Sequence, residues 1–176
     1  MKKQVYVING SGGVGKDTFV MCVSEYLNNL FKRFNTVINF SSVDKVKQIA
    51  KEIGWDGGKT EKDRKFLSDL KILTSNYCDM PFKSMSNKVE YFLNDECTAY
   101  MLFLHIREPD EIERAKKEFN AKTILIIRDA VKHITSNMAD KNVFNYKYDI
   151  VINNDGNLED FENKAKKFIE EEVEYN

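Results

Sequence analysis

A glycine-rich stretch near the start of the chain, residues 10–18, constrains the fold more than any other feature. It reads Gly-Ser-Gly-Gly-Val-Gly-Lys-Asp-Thr, and its first seven residues fit the phosphate-loop pattern G-x-x-x-x-G-K. An apolar run at 5–8 precedes the stretch and is typical of a buried strand, and apolar residues at helical spacing follow it as far as Phe34. Because strand, loop and helix come in this order, the sequence predicts a phosphate-binding site.

The chemistry of this stretch suits an anion and a metal ion. Its glycines let the backbone curl so that N–H groups point inward, and the following helix adds its positive N-terminal end. Lys16 supplies a mobile positive charge. Asp17 occupies the position where a hydroxyl usually holds Mg²⁺, and we expect its carboxylate to bind the cation directly or through water. All residues of the stretch are expected to contact the bound group: Gly10, Ser11, Gly12, Gly13, Val14, Gly15, Lys16, Asp17 and Thr18.

Composition and charge exclude several classes of protein. With 176 residues, of which 42% are hydrophobic, the chain is expected to form one domain, 1–176, with a sizeable core. Its 27 basic and 28 acidic residues give a net charge of −1, which does not favour a nucleic-acid-binding protein. Since the chain has neither a secretory signal nor a long apolar run, we expect a cytoplasmic protein that works without a membrane. The sequence does not distinguish a monomer from a homodimer.

Short apolar runs alternate with helical patterns along the rest of the chain. Strands are expected at 5–8, 36–40, 100–106, 123–127 and 148–152. Helices are expected behind the glycine loop, over about 43–53, 61–77 and 82–93, and from 109 and 158 onward. This alternation predicts a three-layer α/β/α fold with a five-stranded, mostly parallel sheet and right-handed crossovers.

Two segments stand outside the regular alternation. The helices between the second and third strands form an insertion, about 55–97, where a second substrate is expected to be held. Within it, apolar positions such as Leu73 and Tyr77 define one helix face, and Lys71 lies on a face expected to be solvated. The polar segment 129–147 has no sustained periodicity and is predicted to be a mobile lid.

Polar residues that follow the strands are expected to meet at one edge of the sheet. Because parallel strands end at the same edge, Asp44, Arg107, Glu108, Arg128 and the turn 153–156 are predicted to line one crevice with the glycine loop. Asp44 has two interpretations of equal weight. It is either a general base for a hydroxyl acceptor or a residue that compensates the dipole of the helix it begins.

Six short motifs, spread over nearly the whole chain, carry a family resemblance. They are GKDT at 15–18, FSSVDKVK at 40–47, GWDG at 54–57, KDRKFL at 62–67, IREPDE at 106–111 and DIVINN at 149–154. In this order they resemble the nucleoside monophosphate kinase group of P-loop kinases. More narrowly, the chain is similar to the deoxynucleoside monophosphate kinases of phages and their bacterial relatives.

The resemblance implies ATP as the phosphoryl donor and Mg²⁺ as its cation. The glycine loop and Lys16 would hold the phosphates of ATP, and the turn with Asn154 and Gly156 would pass beside the adenine. On the acceptor side, Arg64 matches an arginine that clamps the acceptor's phosphate, and Arg107 could face the same group. Arg128 would lie near the transferred phosphoryl group.

The chain departs from the family motif at one strand end. The family usually has Asp two residues before the arginine that Arg107 matches, whereas this chain has His105. The carboxylate on the metal side would then come from Glu108, Asp44 or Asp17. A neutral His105 on an apolar strand is also typical of a core residue.

The function implied by the resemblance is ATP-dependent phosphorylation of a ribo- or deoxynucleoside monophosphate to the diphosphate. Two alternatives stay open. One is a P-loop kinase for another small molecule, with a hydroxyl acceptor or a phosphomevalonate-like one, since phosphomevalonate kinases share the Gly-Lys-Asp variant. The other is a catalytically degenerate regulator that binds ATP.

Overall fold

Five strands form one sheet in which every neighbouring pair runs parallel. In the computed structural model, which describes residues 2–94, 96–131 and 143–172, the strand order is β2-β3-β1-β4-β5. The strands are β1 Gln4–Asn9, β2 Val37–Ser41, β3 Met101–His105, β4 Lys122–Ile127 and β5 Ile150–Asn153. The predicted parallel sheet is therefore confirmed, with β1 at its centre.

The described part of the chain has six α-helices, five between the strands and one after the last strand. They are α1 Lys16–Phe31, α2 Asp44–Glu52, α3 Glu61–Cys78, α4 Met80–Leu93, α5 Pro109–Phe119 and α6 Leu158–Glu172, with a short 3-10 turn at Val143–Asn145. Local signals set several boundaries. Thr60 and Asp63 form a capping box at the start of α3, and Pro109 occupies the first turn of α5, where its missing N–H costs nothing.

The sheet is buried on both faces, which gives the three layers. Successive residues of β1 point to opposite sides, so that Tyr6 joins the cluster under α1 and α6 and Val7 joins the cluster under α4 and α5. Aromatic rings dominate the first cluster, where Tyr6 stacks on Phe103 with ring centroids 5.2 Å apart. No helix in the described part of the chain is both long and apolar enough to cross a membrane.

The inserted helix α3 partly contradicts the expectation for its buried face. Leu73 is 66% exposed and Tyr77 is 87% exposed, whereas Lys71 is only 9% exposed. Lys71 is buried because it pairs with Glu108 and Glu111 at the start of α5. The first part of the apolar stripe, Phe66, Leu67 and Leu70, is partly buried as expected, and only its second part is exposed. The predicted lid, 129–147, falls largely on residues 132–142, which lie outside the described residues.

Candidate active site

The glycine loop between β1 and α1 has a backbone that only glycine suits at several positions. Gly10 has φ 145°, and a Cβ there would lie 2.4 Å from the carbonyl oxygen of Ile126 on β4. Gly15 has φ 99°, and its Cβ would lie 2.6 Å from the amide nitrogen of Asn154. The loop is therefore packed tightly between the ends of β4 and β5, which fixes the direction of its N–H groups.

Lys16 closes this loop. Its ammonium group donates hydrogen bonds to the carbonyl oxygens of Gly10, at 2.6 Å, and Ser11, at 2.9 Å. Helix α1 begins at the same residue, so the N-terminal N–H groups of the helix lie next to the loop that the ammonium group closes. Unpaired N–H groups beside a lysine are the arrangement that binds phosphate.

Asn154, predicted to lie beside the adenine, supports the loop in the structure. It is 8% exposed, its backbone N–H donates to Ile127, and its side-chain amide donates to the carbonyl of Val14 at 2.8 Å. Gly156 lies farther along the same turn and is exposed, with its Cβ position 2.5 Å from the carboxylate of Asp160. The side chain of Asn154 therefore holds the loop closed, and a role toward the adenine stays a prediction.

His105, at the end of β3, forms a small polar network beside the loop. Its Nε2 donates to Asn39 Oδ1 at 2.7 Å and lies 3.7 Å from Asp17 Oδ1. Asn39 in turn donates to the same oxygen of Asp17 at 3.4 Å. The network shows that His105 is a crevice residue, and that the first turn of α1 meets the ends of β2 and β3.

The charged groups around this imidazole mark the centre of the crevice. Burial lowers the pKa of His105, and the positive charges of Lys16 and Arg107 lower this pKa further. The carboxylates of Asp17 and Asp44 act in the opposite direction on the same pKa. All four of these predicted site residues therefore act electrostatically on the imidazole at the end of β3. The net effect favours the neutral imidazole at pH 7.

Asp44 begins α2, and its carboxylate is engaged. Its Oδ2 accepts the backbone N–H of Ser41 at 2.8 Å, and its Oδ1 lies 4.0 Å from the ammonium group of Lys47. These contacts fit the structural interpretation of this residue at the helix start, and a role as general base stays a prediction.

Glu108 is paired across the crevice with the insertion. Its Oε2 accepts from Lys71 at 2.8 Å, and Glu111 accepts from the same ammonium group at 2.9 Å. Burial would raise the pKa of Glu108, but the charge and hydrogen bond of Lys71 outweigh it and the pKa is lowered. Burial raises the pKa of Glu111, and the charge of Glu108 adds to this effect.

In the described part of the chain, no three His, Cys, Asp or Glu residues are placed to hold a metal ion.

The three predicted arginines lie on three different elements. Arg107 follows β3, is partly buried and acts on His105. Arg128 follows β4 and is exposed, and Arg64 is exposed near the start of α3. The structure thus brings Arg107 into the crevice, and it leaves Arg64 and Arg128 at exposed positions.

Two residues that support the crevice have no motif in the sequence. Asn9 is fully buried, and its side chain accepts the N–H of Gly10 and donates to Tyr148 Oη, at 2.7 Å, and to the carbonyl of Arg107, at 3.3 Å. Tyr148 donates to the carbonyl of Val143, and burial raises its pKa to about 12, which keeps it a donor. The signal for Asn9 was an amide at the end of an apolar strand directly before the glycine loop.

Comparisons with known proteins address the fold. No protein-family model and no curated protein matches the sequence. Solved structures do match. TT1252 from Thermus thermophilus has a TM-score of 0.54 and 17% identity, with 99% of this chain and 100% of the other covered. Shikimate kinase from Aquifex aeolicus has a TM-score of 0.52 and 12% identity, with 96% and 97% covered.

A third match has a nucleotide analogue. APS kinase from Mycobacterium tuberculosis, in complex with AMPPNP and APS, has a TM-score of 0.51 and 10% identity, with 96% of each chain covered. The chain has the P-loop kinase fold. Identities this low show the fold alone, and the acceptor differs between the kinases that share it.

Proposed function

We propose that the protein is an ATP-dependent phosphotransferase whose acceptor is a ribo- or deoxynucleoside monophosphate. The glycine loop supports a nucleoside triphosphate as donor, because Lys16 closes the loop and α1 begins at the same residue. The Lys16 ammonium group binds two neutral carbonyl oxygens. A phosphate is a stronger partner for an ammonium group than a neutral carbonyl, since charge-assisted hydrogen bonds are stronger than others.

The observation that carries the choice of acceptor is the engagement of two crevice carboxylates, Asp44 and Glu108, since the third, Asp17, is the one expected to hold Mg²⁺. Asp44 accepts a backbone N–H, and Glu108 is bound to Lys71. A hydroxyl acceptor requires a carboxylate that is ready to take its proton, whereas a phosphate acceptor is already an anion and requires positive charge. Arg107 provides such a charge beside the loop. This arrangement favours a monophosphate over a hydroxyl compound as the acceptor.

Mg²⁺ is the cation expected with ATP, and Asp17 fits it. The Asp17 side chain is 89% exposed in the first turn of α1, next to the loop. Proteins commonly bind Mg²⁺ through one or two carboxylates together with the phosphates of the substrate, so a single carboxylate here is sufficient. When bound, the cation would neutralise negative charge on the phosphates. Glu108 suits this role less well, because its Oε2 already accepts from Lys71.

The basic side chains would position the two substrates and neutralise the charge on their phosphates. Lys16 would exchange its carbonyl partners for the outer phosphates of ATP and follow the transferred group. Arg64 and Arg107 would hold the phosphate of the acceptor, and Arg128 would neutralise charge on the transferred phosphoryl group. Phosphoryl transfer needs little covalent help from the protein, which agrees with the side chains found in the crevice.

A substrate panel tests the proposal. ATP consumption with Mg²⁺ would be measured against all ribo- and deoxynucleoside monophosphates, with nucleosides and phosphomevalonate alongside. We expect clear turnover on a nucleoside monophosphate. Turnover on phosphomevalonate or a nucleoside alone would retain a kinase and reject the nucleotide acceptor. ATP binding without turnover on any compound would reject the phosphotransferase.

A further inference from the structure

The most unusual charge in the molecule is Lys71, on the inserted helix α3. Among the described residues it is the only charged residue that is buried, at 9% exposure. An ammonium group is costly to bury unless it is paired and hydrogen-bonded. A lysine on an inserted helix has the whole solvent available to it, so its burial calls for a specific reason.

The partners of Lys71 lie on the element that carries Arg107. Glu108 and Glu111 accept from its ammonium group at 2.8 and 2.9 Å, and Glu108 is the residue directly after Arg107. The bridge thus joins α3 to the first turn of α5 at the edge of the crevice. Two carboxylates on one ammonium group resist both rotation and sliding of α3, because either movement would leave a buried charge unpaired.

The helical repeat connects this bridge with Arg64. Residues seven positions apart lie on the same face of an α-helix and are roughly 10 Å apart along its axis. Arg64 is seven residues before Lys71, so both lie on the same face of α3, where Lys71 is buried against Glu108 and Glu111 and Arg64 is exposed. Fixing the rotation of α3 at Lys71 therefore also fixes the position from which the Arg64 side chain extends, relative to Arg107.

We propose that Lys71 is a positioning residue that locks the insertion to the β3–α5 turn, so that Arg64 and Arg107 bind the same anionic group of the acceptor. This inference rests on the proposed function, because it assigns a phosphate to the two arginines. The chain offers a matched control at the other end of α3. Asp79 and Arg114 form a second bridge to α5 at 2.7 Å, and this bridge is half-exposed and remote from Arg64.

The kinetic test compares Lys71→Met with Asp79→Asn, using ATP, Mg²⁺ and the common nucleoside monophosphates as probes. We expect Lys71→Met to raise the acceptor KM about tenfold, which corresponds to losing one charge-assisted contact with the acceptor. The KM of ATP should change by less than about twofold. Lys71→Arg should restore part of the acceptor affinity. Asp79→Asn should leave both KM values within about twofold, since Asn also tolerates the left-handed backbone of this residue, φ 55°. An unchanged acceptor KM in folded Lys71→Met would overturn the inference.

Measuring the distance between α3 and α5 tests the positioning role of Lys71 independently of the proposed function. Spin labels at Leu73→Cys on α3 and Lys117→Cys on α5, with the exposed Cys78 changed to Ser, report how α3 is held. We expect a broader distance distribution with Lys71→Met and an unchanged one with Asp79→Asn. An unchanged distribution with Lys71→Met overturns the positioning role whatever the acceptor is. Absence of turnover in the unmodified protein, with a broadened distribution in Lys71→Met, overturns only the proposed function.

If Lys71→Met fails to fold, the variant that also carries Glu108→Gln and Glu111→Gln takes its place. It removes the three charges together and leaves no buried charge unpaired. The expected change in acceptor KM and in the distance distribution is the same, and so is the result that would overturn the inference.

Discussion

Two regions of the crevice are built by different means. The loop side, residues 10–18 with Asn154, is built mainly from backbone: glycines with positive φ and carbonyls that accept from Lys16. The side-chain amide of Asn154 supports it by donating to the carbonyl of Val14. The insertion side, α3 with residues 106–108, is made of side-chain pairs between elements far apart in the chain. A site built from local backbone accepts few residue types, so its sequence pattern is recognisable. A site built from charge pairs depends on partners far apart in the chain, which a local sequence pattern does not reveal.

The largest expected effect comes from removing the one positive charge of the loop side, Lys16. Lys16→Ala removes the positive charge that would follow the transferred phosphoryl group, and we expect turnover to fall by about 10²- to 10³-fold. Steady-state ATP consumption on the preferred monophosphate is the measurement. Lys167→Ala, which removes an exposed lysine of α6, is the control and should change turnover by less than about twofold. Equal effects of the two variants would remove Lys16 from the site.

The next effect tests whether the loop side depends on its backbone. Gly15→Ala places a Cβ 2.6 Å from the amide of Asn154 at a φ of 99°, and we expect a loss of about 2–4 kcal/mol in the free energy of unfolding. Gly13→Ala is the matched control. Gly13 also has a positive φ, 84°, but nothing lies within 4 Å of its Cβ position, so about 1 kcal/mol is expected. Urea unfolding measures both, and equal losses would show that the contact with Asn154 is unimportant.

The insertion side is tested at its exposed arginine. Under the proposed function, Arg64→Ala removes a contact with the acceptor's phosphate, and we expect an acceptor KM about tenfold higher with the KM of ATP unchanged. Lys65→Ala removes the next basic residue of α3, which is 76% exposed and paired with Asp69, and should have little effect. A rise in the KM of ATP instead would place Arg64 on the loop side.

The same contrast explains how much the sequence could predict. β1 was expected at 5–8 and spans Gln4–Asn9, and the glycine loop lies where its pattern placed it, because both follow from neighbouring residues. The buried face of α3 was predicted wrongly in the second half of the helix, because the partners of Lys71 lie 37 and 40 residues away and no local pattern contains them. The polar network of His105 with Asn39 depends on two strands meeting, which no single-strand pattern contains.

The smallest effect concerns a charge pair at the opposite edge of the sheet from the glycine loop, where β4 and β5 begin. Asp149, just before β5, accepts the N–H and hydroxyl of Thr123, at 2.9 and 2.8 Å, and the ammonium group of Lys116, at 2.7 Å. Burial would raise the pKa of Asp149, but these contacts outweigh it and the pKa is lowered. Because the side chain is 37% exposed, we expect Asp149→Asn to cost only about 1 kcal/mol at pH 7.

The sign of the pH dependence makes this prediction specific. A carboxyl group whose pKa is lower in the folded than in the unfolded protein stabilises the fold above its ordinary pKa of about 3.9. That contribution is lost as the pH falls through the folded-state value. The difference in unfolding free energy between the unmodified protein and Asp149→Asn should therefore be constant from pH 7 to about pH 5 and shrink below about pH 4. Asp155→Asn, in the turn after β5, is the control. A difference that grows on acidification would mean that the charge of Asp149 destabilises the start of β5, and that its contacts with Thr123 and Lys116 do not favour the ionised form.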